Sequence, residues 1–273
     1  MSEPGTSDDT PLPEPGDAPR RPAFVYAIGR IGCRFPDRGV EKEFAQATGR
    51  TDTRGRTDHE ALHEVIDRPE NRYLARQLLY VFSVRGVETY TVRPRYEEDY
   101  DRLIEAVRPQ PTPLDLDVLI GVREPVPPGG CGGSRLPMVE FEQVYSFDRT
   151  ELVDAVDKPK DMPAKRFRKT ADEVLTRLLA VAANAGATAE DRAANYITCR
   201  YAAVYVKTFE AFAADSALTS IDVGPAPVGG DRGVVSFTLS FTQRGTDLTE
   251  RWSALVDTEY LYPYLLTPLA PSL

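Results

Sequence analysis

Apolar residues recur along the chain at two spacings, one near two and one near 3.6, and these predict its elements. The run AFVYAIGRIGCRF (23–35) is apolar and β-branched or aromatic in its first half, which predicts a strand that ends in a bend near Gly29 and Gly32. Helical spacing follows at Val40, Phe44 and Ala47, with Gly49 as the stop, and again over 57–67 and from Glu70 to about Gln77. LLYVFSVRGVETYTVRP (78–94) places Arg85 and Gly86 between two strand-like runs, the pattern of a β-hairpin. Tyr100, Leu103, Ile104 and Val107 share one helical face, and 114–126 and 136–147 read as two further strands. A short helix begins at Asp148.

Beyond residue 157 the pattern restarts. TADEVLTRLLAVAANAG (170–186) predicts an amphipathic helix with Thr170 as its cap, Glu173 three residues on and Gly186 as its stop. Residues 188–215 carry apolar positions almost all round, as a single buried central helix would. VVSFTLSFT (234–242) alternates Val235, Phe237, Leu239 and Phe241 with Ser and Thr, giving one buried and one polar sheet face. Strands are also predicted at 218–224 and over 250–262. The expected class is α+β, in two halves that each pack helices on a small, mainly antiparallel sheet. The expected divisions are an acidic, Pro-rich disordered tail at 1–22, a first half at 23–156, a basic linker at 157–169 and a second half at 170–273.

Composition narrows the function classes. A formal net charge of −9 opposes nucleic-acid binding, which needs basic surface to displace counterions from phosphates. No apolar run approaches the ~18 residues of a membrane span, and no basic-then-apolar leader opens the chain, so a cytoplasmic protein is expected. Three cysteines, Cys33, Cys131 and Cys199, are an odd number set far apart, which suits a reducing compartment better than a disulfide framework.

Four segments carry candidate chemistry. His59, Glu60 and His63 fit H-E-x-x-H, in which two imidazoles one helical turn apart hold zinc and the glutamate activates its water. No third ligand stands at a recognisable distance, and Glu64 follows His63 directly, so the favoured reading is a solvated helix with Leu62 and Ile66 inward. Completion of a zinc site by Cys131, in the glycine-rich loop 127–134, or by a carboxylate is the low-ranking alternative. That loop lacks the G-K-[ST] of a P-loop, no G-x-G-x-x-G or G-x-S-x-G occurs, and two histidines on one short helix leave little for a nucleophile–base pair. A basic run ending in Lys165, Arg166, Arg168 and Lys169 stands out in an acidic chain. So does the aromatic ending with Tyr260, Tyr262 and Tyr264, apolar where termini are usually polar.

Longer blocks carry a resemblance. VYAIGRIGCRFPDRGVEKEF, ENRYLARQLLYVFSVRGVETYTVRP, TAEDRAANYITCRYAAVYVKTFEAF and LTSIDVGPAP, in that order between about Ala23 and Pro268, resemble the C-terminal domain of the cyanobactin maturation protease (PatG) family. The resemblance implies no reaction of its own, because in that family protease chemistry resides in a separate subtilisin-like domain. It implies instead an accessory protein in the biosynthesis of a ribosomally made, modified peptide of cyanobactin or lanthipeptide type, with no cofactor. Such a protein would bind a precursor peptide, a modifying enzyme, or both. Leader peptides are commonly acidic, so the basic run would steer one in while Tyr260, Tyr262 and Tyr264 dock a partner. Homodimerisation stays open. The rival reading is a zinc-dependent hydrolase using the HEALH segment.

Overall fold

The computed structural model describes residues 23–48, 58–109, 115–125, 134–154, 163–227 and 233–272, without the side chains of 58, 59 and 166. The expected tail at 1–22 and the first part of the expected linker, 157–162, lie outside the described residues. Among the described residues no helix is long and apolar enough to cross a membrane.

The first half is a closed barrel of five strands in the order β1-β2-β3-β5-β4. These are β1 (Ala23–Arg34), β2 (Leu79–Val84), β3 (Val87–Pro94), β4 (Leu116–Glu124) and β5 (Met138–Phe147). All neighbours are antiparallel except β3 and β5, whose parallel pairing closes the cylinder and leaves no edge. The expected hairpin forms, with Arg85 and Gly86 both at positive φ (50° and 79°), the geometry of a tight two-residue turn. β1 does not stop at its glycines. It pairs with β4 over Ala23–Gly29 and with β2 over Arg30–Arg34. Gly29 sits at the exchange, where a Cβ would lie 2.3 Å from the Ser83 carbonyl oxygen and 2.7 Å from the Phe82 ring. The glycine marks a close backbone approach rather than a strand end.

Val25 and Ala27 of β1, with Leu119, Val139 and Phe141, pack with Phe82 and Tyr90 into one core. That core is shared with α1 (Arg38–Thr48), α2 (Asp58–Ile66), α3 (Arg72–Gln77) and α4 (Tyr100–Ala106), whose inward residues include Phe44, Ile66, Leu74 and Leu103. The alternate residues Tyr26 and Ile28, with Val118 and Ile120, point outward and are just as buried, because the second half's helices cover them. Burial on both faces explains why β1 and β4 read as continuous apolar runs.

The second half has α6 (Ala164–Val181), α7 (Ala189–Arg200) and α8 (Ala203–Ala213) on one face of a four-stranded antiparallel sheet. A short α5 (Arg149–Asp154) precedes them. The sheet runs β6 (Ser216–Pro225), β7 (Val234–Gln243), β8 (Thr249–Asp257) and β9 (Tyr264–Ser272). Val235, Phe237, Leu239, Phe241 and Val256 face the helices. On the opposite face the hydroxyls of Thr238, Ser253 and Ser272 are hydrogen-bonded in a row at 2.9 Å each. β9 is an edge strand and carries Pro268 and Pro271.

Three expectations are corrected here. α6 starts at Ala164, so Thr170 is not a cap but a buried residue within the helix. Lys165, Arg168 and Lys169 are therefore helical, and Phe167 between them is buried with its ring 4.7 Å from that of Phe209. The expected central helix at 188–215 is two helices, broken at Tyr201 and Ala202. The carbonyl of Thr198, left near the end of α7, accepts a 2.9 Å hydrogen bond from the Tyr205 hydroxyl. Finally, the strand expected over 250–262 ends at Asp257, and the aromatic ending supplies a further strand, β9, whose Leu269 N–H donates to the Tyr201 hydroxyl at 2.8 Å.

Candidate functional site

The seam between the halves is built around the N-terminal turn of α7. Thr188 and Asp191 cap that helix reciprocally, each side chain bonding the other's backbone. One turn in, Arg192 is buried, 5% exposed. Its guanidinium donates to the carbonyl oxygens of Thr258 (2.5 Å), Tyr260 and Leu261 (3.0 Å), and lies over the Phe24 ring at 5.2 Å. Burial pushes its pKa down to about 10, partly offset by the Asp257 carboxylate. The group is still a cation at neutral pH, and its charge is matched mainly by carbonyl dipoles.

That bonding fixes the backbone of the β8–β9 connection. Asp257 extends the clamp: its carboxylate accepts from the Glu259 N–H (2.8 Å) and the Tyr264 hydroxyl (3.1 Å). The side chains on the clamped segment face outward. Tyr260, Tyr262, Tyr264 and Leu266 are 60%, 47%, 44% and 45% exposed, while Leu261 between them turns in against the barrel. The Tyr262 hydroxyl feels Glu142 of β5 and Arg102 of α4, so this apolar patch borders the first half as well as the second.

Beneath the patch, Asn195 and the turn after α6 grip β1. Tyr26 donates its N–H to the Gly186 carbonyl (2.9 Å) and accepts from the Asn195 side chain at its own carbonyl (2.6 Å). Tyr90 donates to the Ala185 carbonyl at 2.8 Å. The Tyr26 and Tyr145 hydroxyls are 3.2 Å apart, and Arg200 lies over the Tyr145 ring at 4.9 Å. Burial raises both phenol pKa values above the ordinary one, so these hydroxyls are neutral donors and acceptors.

The residues singled out by sequence are not brought together. α6 is 18 residues long, about 27 Å at 1.5 Å per residue. Lys165, Arg168 and Lys169 stand at its start, and the tyrosine patch lies beyond its other end, where α7 begins. The basic residues are exposed, with Arg168 drawn to Asp154 at 3.2 Å. Arg166, His59 and Cys131 have side chains outside the described residues. His63 is half-buried on α2, its Nε2 without a hydrogen-bond partner. Among the described residues no three His, Cys, Asp or Glu side chains cluster as a metal would require. Burial pushes the Cys33 and Cys199 thiols up to about 12 each, which removes thiolate character at neutral pH.

Sequence reasoning passed over Arg192 and Asn195, two of the polar side chains that hold the seam. The available signal was an arginine and an asparagine inside AEDRAANY, a helical stretch otherwise committed to burial.

A helix-covered barrel joined along one strand to a helix-backed open sheet defines an α+β scaffold with its exposed aromatic patch at the seam. Residues 24–219 match the sequence profile of the PatG domain, and the chain belongs to that family. It is similar to a solved structure described as a PatG domain of unknown function, with a TM-score of 0.74 and 20% identity over 92% of this chain and 98% of the other, which establishes the shared fold. No curated protein matches the chain.

Proposed function

We propose that this protein is a non-catalytic accessory component in the biosynthesis of a ribosomally synthesised, modified peptide of the cyanobactin or a related type. In this reading it binds a precursor peptide, a modifying enzyme, or both, in the cytoplasm. One observation carries the reading: the segment 258–266 is held rigid by Arg192 and Asp257 yet presents three tyrosines and a leucine to solvent. Aromatic side chains on a pre-ordered backbone are what a recognition surface needs, because they bring large contact area at little entropic cost. Arg192, Asn195 and Asp257 are committed to holding elements together, which agrees with a scaffold role. Family membership supplies the pathway context.

The test is a pull-down with the precursor peptide and the modifying enzymes encoded beside it, using wild type and a Tyr260→Ala/Tyr262→Ala variant. Capture by wild type, reduced at least tenfold in the variant, is the expected result. Failure of wild type to capture any of them, alone or together, overturns the reading.

A further inference from the structure

The outer barrel wall and α6 leave a cleft of about 200 Å³ between them. Its walls are apolar: Ile28 and Leu116 from the barrel, Leu179, Ala180 and Ala183 from α6 and the turn after it. Alanines at 180 and 183 keep it open, where larger residues would have sealed the seam. Thr176, Leu179, Ala180 and Ala183 follow helical spacing, so the cleft runs along one stripe of α6.

Its charged lining is of one sign. Arg85, at the tip of the β2–β3 hairpin, and Arg149, at the start of α5, are the two charged residues lining it, in a chain of net charge −9. Arg149 donates to Asp172 (2.9 Å) and to the Thr176 hydroxyl (2.7 Å), while its buried Nε–H has no acceptor. Arg85 is exposed and makes no ion pair with any described residue. An apolar slot beside one uncommitted guanidinium and one partly committed one is complementary to an apolar group with a carboxylate next to it. At this volume the slot is smaller than the ~300 Å³ lower bound of sites for drug-sized ligands, and it suits one or two side chains.

We infer that this cleft binds an acidic peptide segment, seating an aliphatic side chain between Ile28, Leu179 and Ala180 and placing a neighbouring Asp or Glu against Arg85 and Arg149. This rests on the peptide-binding part of the proposed function and names the chemistry of the peptide. It adds Arg85 and Arg149 to the basic run of Lys165, Arg166, Arg168 and Lys169 as steering charge.

Fluorescence anisotropy of the full chain with a short labelled peptide alternating Leu and Glu tests it, against versions with Gln or Lys for Glu. Binding of the Glu peptide, weakened at least tenfold by Gln and abolished by Lys, is expected. Arg85→Glu should weaken it about tenfold. Ala180→Trp, at an exposed helical position that tolerates a larger side chain, should plug the cleft and remove binding without changing the far-UV circular dichroism. Equal binding of Glu and Lys peptides, unaltered binding by Ala180→Trp, or no binding to wild type overturns the assignment. Displacement of the bound peptide by octanoate, with octanoate itself binding at least as tightly, identifies a small-acid site and overturns it too. The tyrosine variant separates the two readings: peptide capture lost with Tyr260→Ala/Tyr262→Ala but kept with Ala180→Trp overturns the cleft and leaves the accessory role standing.

Discussion

Asp117 is fully buried on β4, where its two carboxylate oxygens accept from the Ile31 N–H and the Ser146 hydroxyl, each at 2.6 Å. Desolvation dominates those hydrogen bonds and raises its pKa from 3.8 to about 6. The native state then holds the proton more tightly than the unfolded chain. The group's favourable contribution is full below pH 3.8, is lost as pH rises to about 6, and is level above that. Its size is at most about 3 kcal/mol. Asp117→Asn cannot titrate, so its stability relative to wild type should improve by about 2–3 kcal/mol between pH 4 and pH 7. Urea unfolding at a series of pH values measures this, and parallel curves for the two proteins would show the idea wrong. Arg192 is the second residue whose environment sets a measurable outcome. Arg192→Ala strands the carbonyls of Thr258, Tyr260 and Leu261 and should cost about 2–4 kcal/mol, with faster proteolysis between 258 and 264. Lysine cannot span three acceptors and should recover little of that loss.

At the level of elements, the α6–α7 turn is a tightly constrained connection. Gly186 has φ +66°, and a Cβ there would lie 2.3 Å from the Tyr26 carbonyl oxygen and 2.8 Å from Ala27 Cα. Gly186→Ala should therefore cost about 2–4 kcal/mol, well beyond the ~1 kcal/mol of an unhindered left-handed position. Differential scanning calorimetry decides it; an unchanged midpoint would mean that the turn does not dock as described. Most elements were legible because their patterns are local. Val235, Phe237, Leu239 and Phe241 alternate plainly, and Arg85-Gly86 names its own hairpin. The misreadings have physical causes. The break at Tyr201 involves no Gly or Pro; the Tyr205 hydroxyl of the next helix takes up the Thr198 carbonyl, and the Tyr201 hydroxyl is held by the distant Leu269 amide, neither of which shows in apolar spacing. The start of α6 looked like a linker because Lys and Arg dominate it, although both are good helix formers and Phe167 supplies the inward contact. Of the site, the tyrosines were visible as an unusual terminus. The clamp was not, since Arg192 and Thr258 are 66 residues apart and backbone acceptors leave no mark in a sequence.

For the whole molecule, both faces of β1 are used, one by the barrel core and the other by the helices of the second half. Unfolding of the second half would expose Tyr26, Ile28, Val118 and Ile120 together, and unfolding of the first would uncover Leu179, Ala182, Tyr196 and Cys199. The two halves are therefore expected to unfold in one transition. Trp252, the single tryptophan, reports the second sheet, and hydrogen exchange of the β1 and β4 amides reports the barrel. Coincident midpoints in urea are the expected outcome; a separation of more than about 0.5 M, given the usual steepness of such transitions, would establish independent units.

The prolines of β9 bear on how visitors are received. With Pro268 and Pro271 missing their N–H groups, the outer margin of that strand cannot zip continuously onto a foreign chain, nor onto its own twin. A guest docking at this edge would accordingly have to be chosen by the shape and charge of its side groups, which discriminates among sequences, whereas main-chain zippering would accept nearly any extended polypeptide.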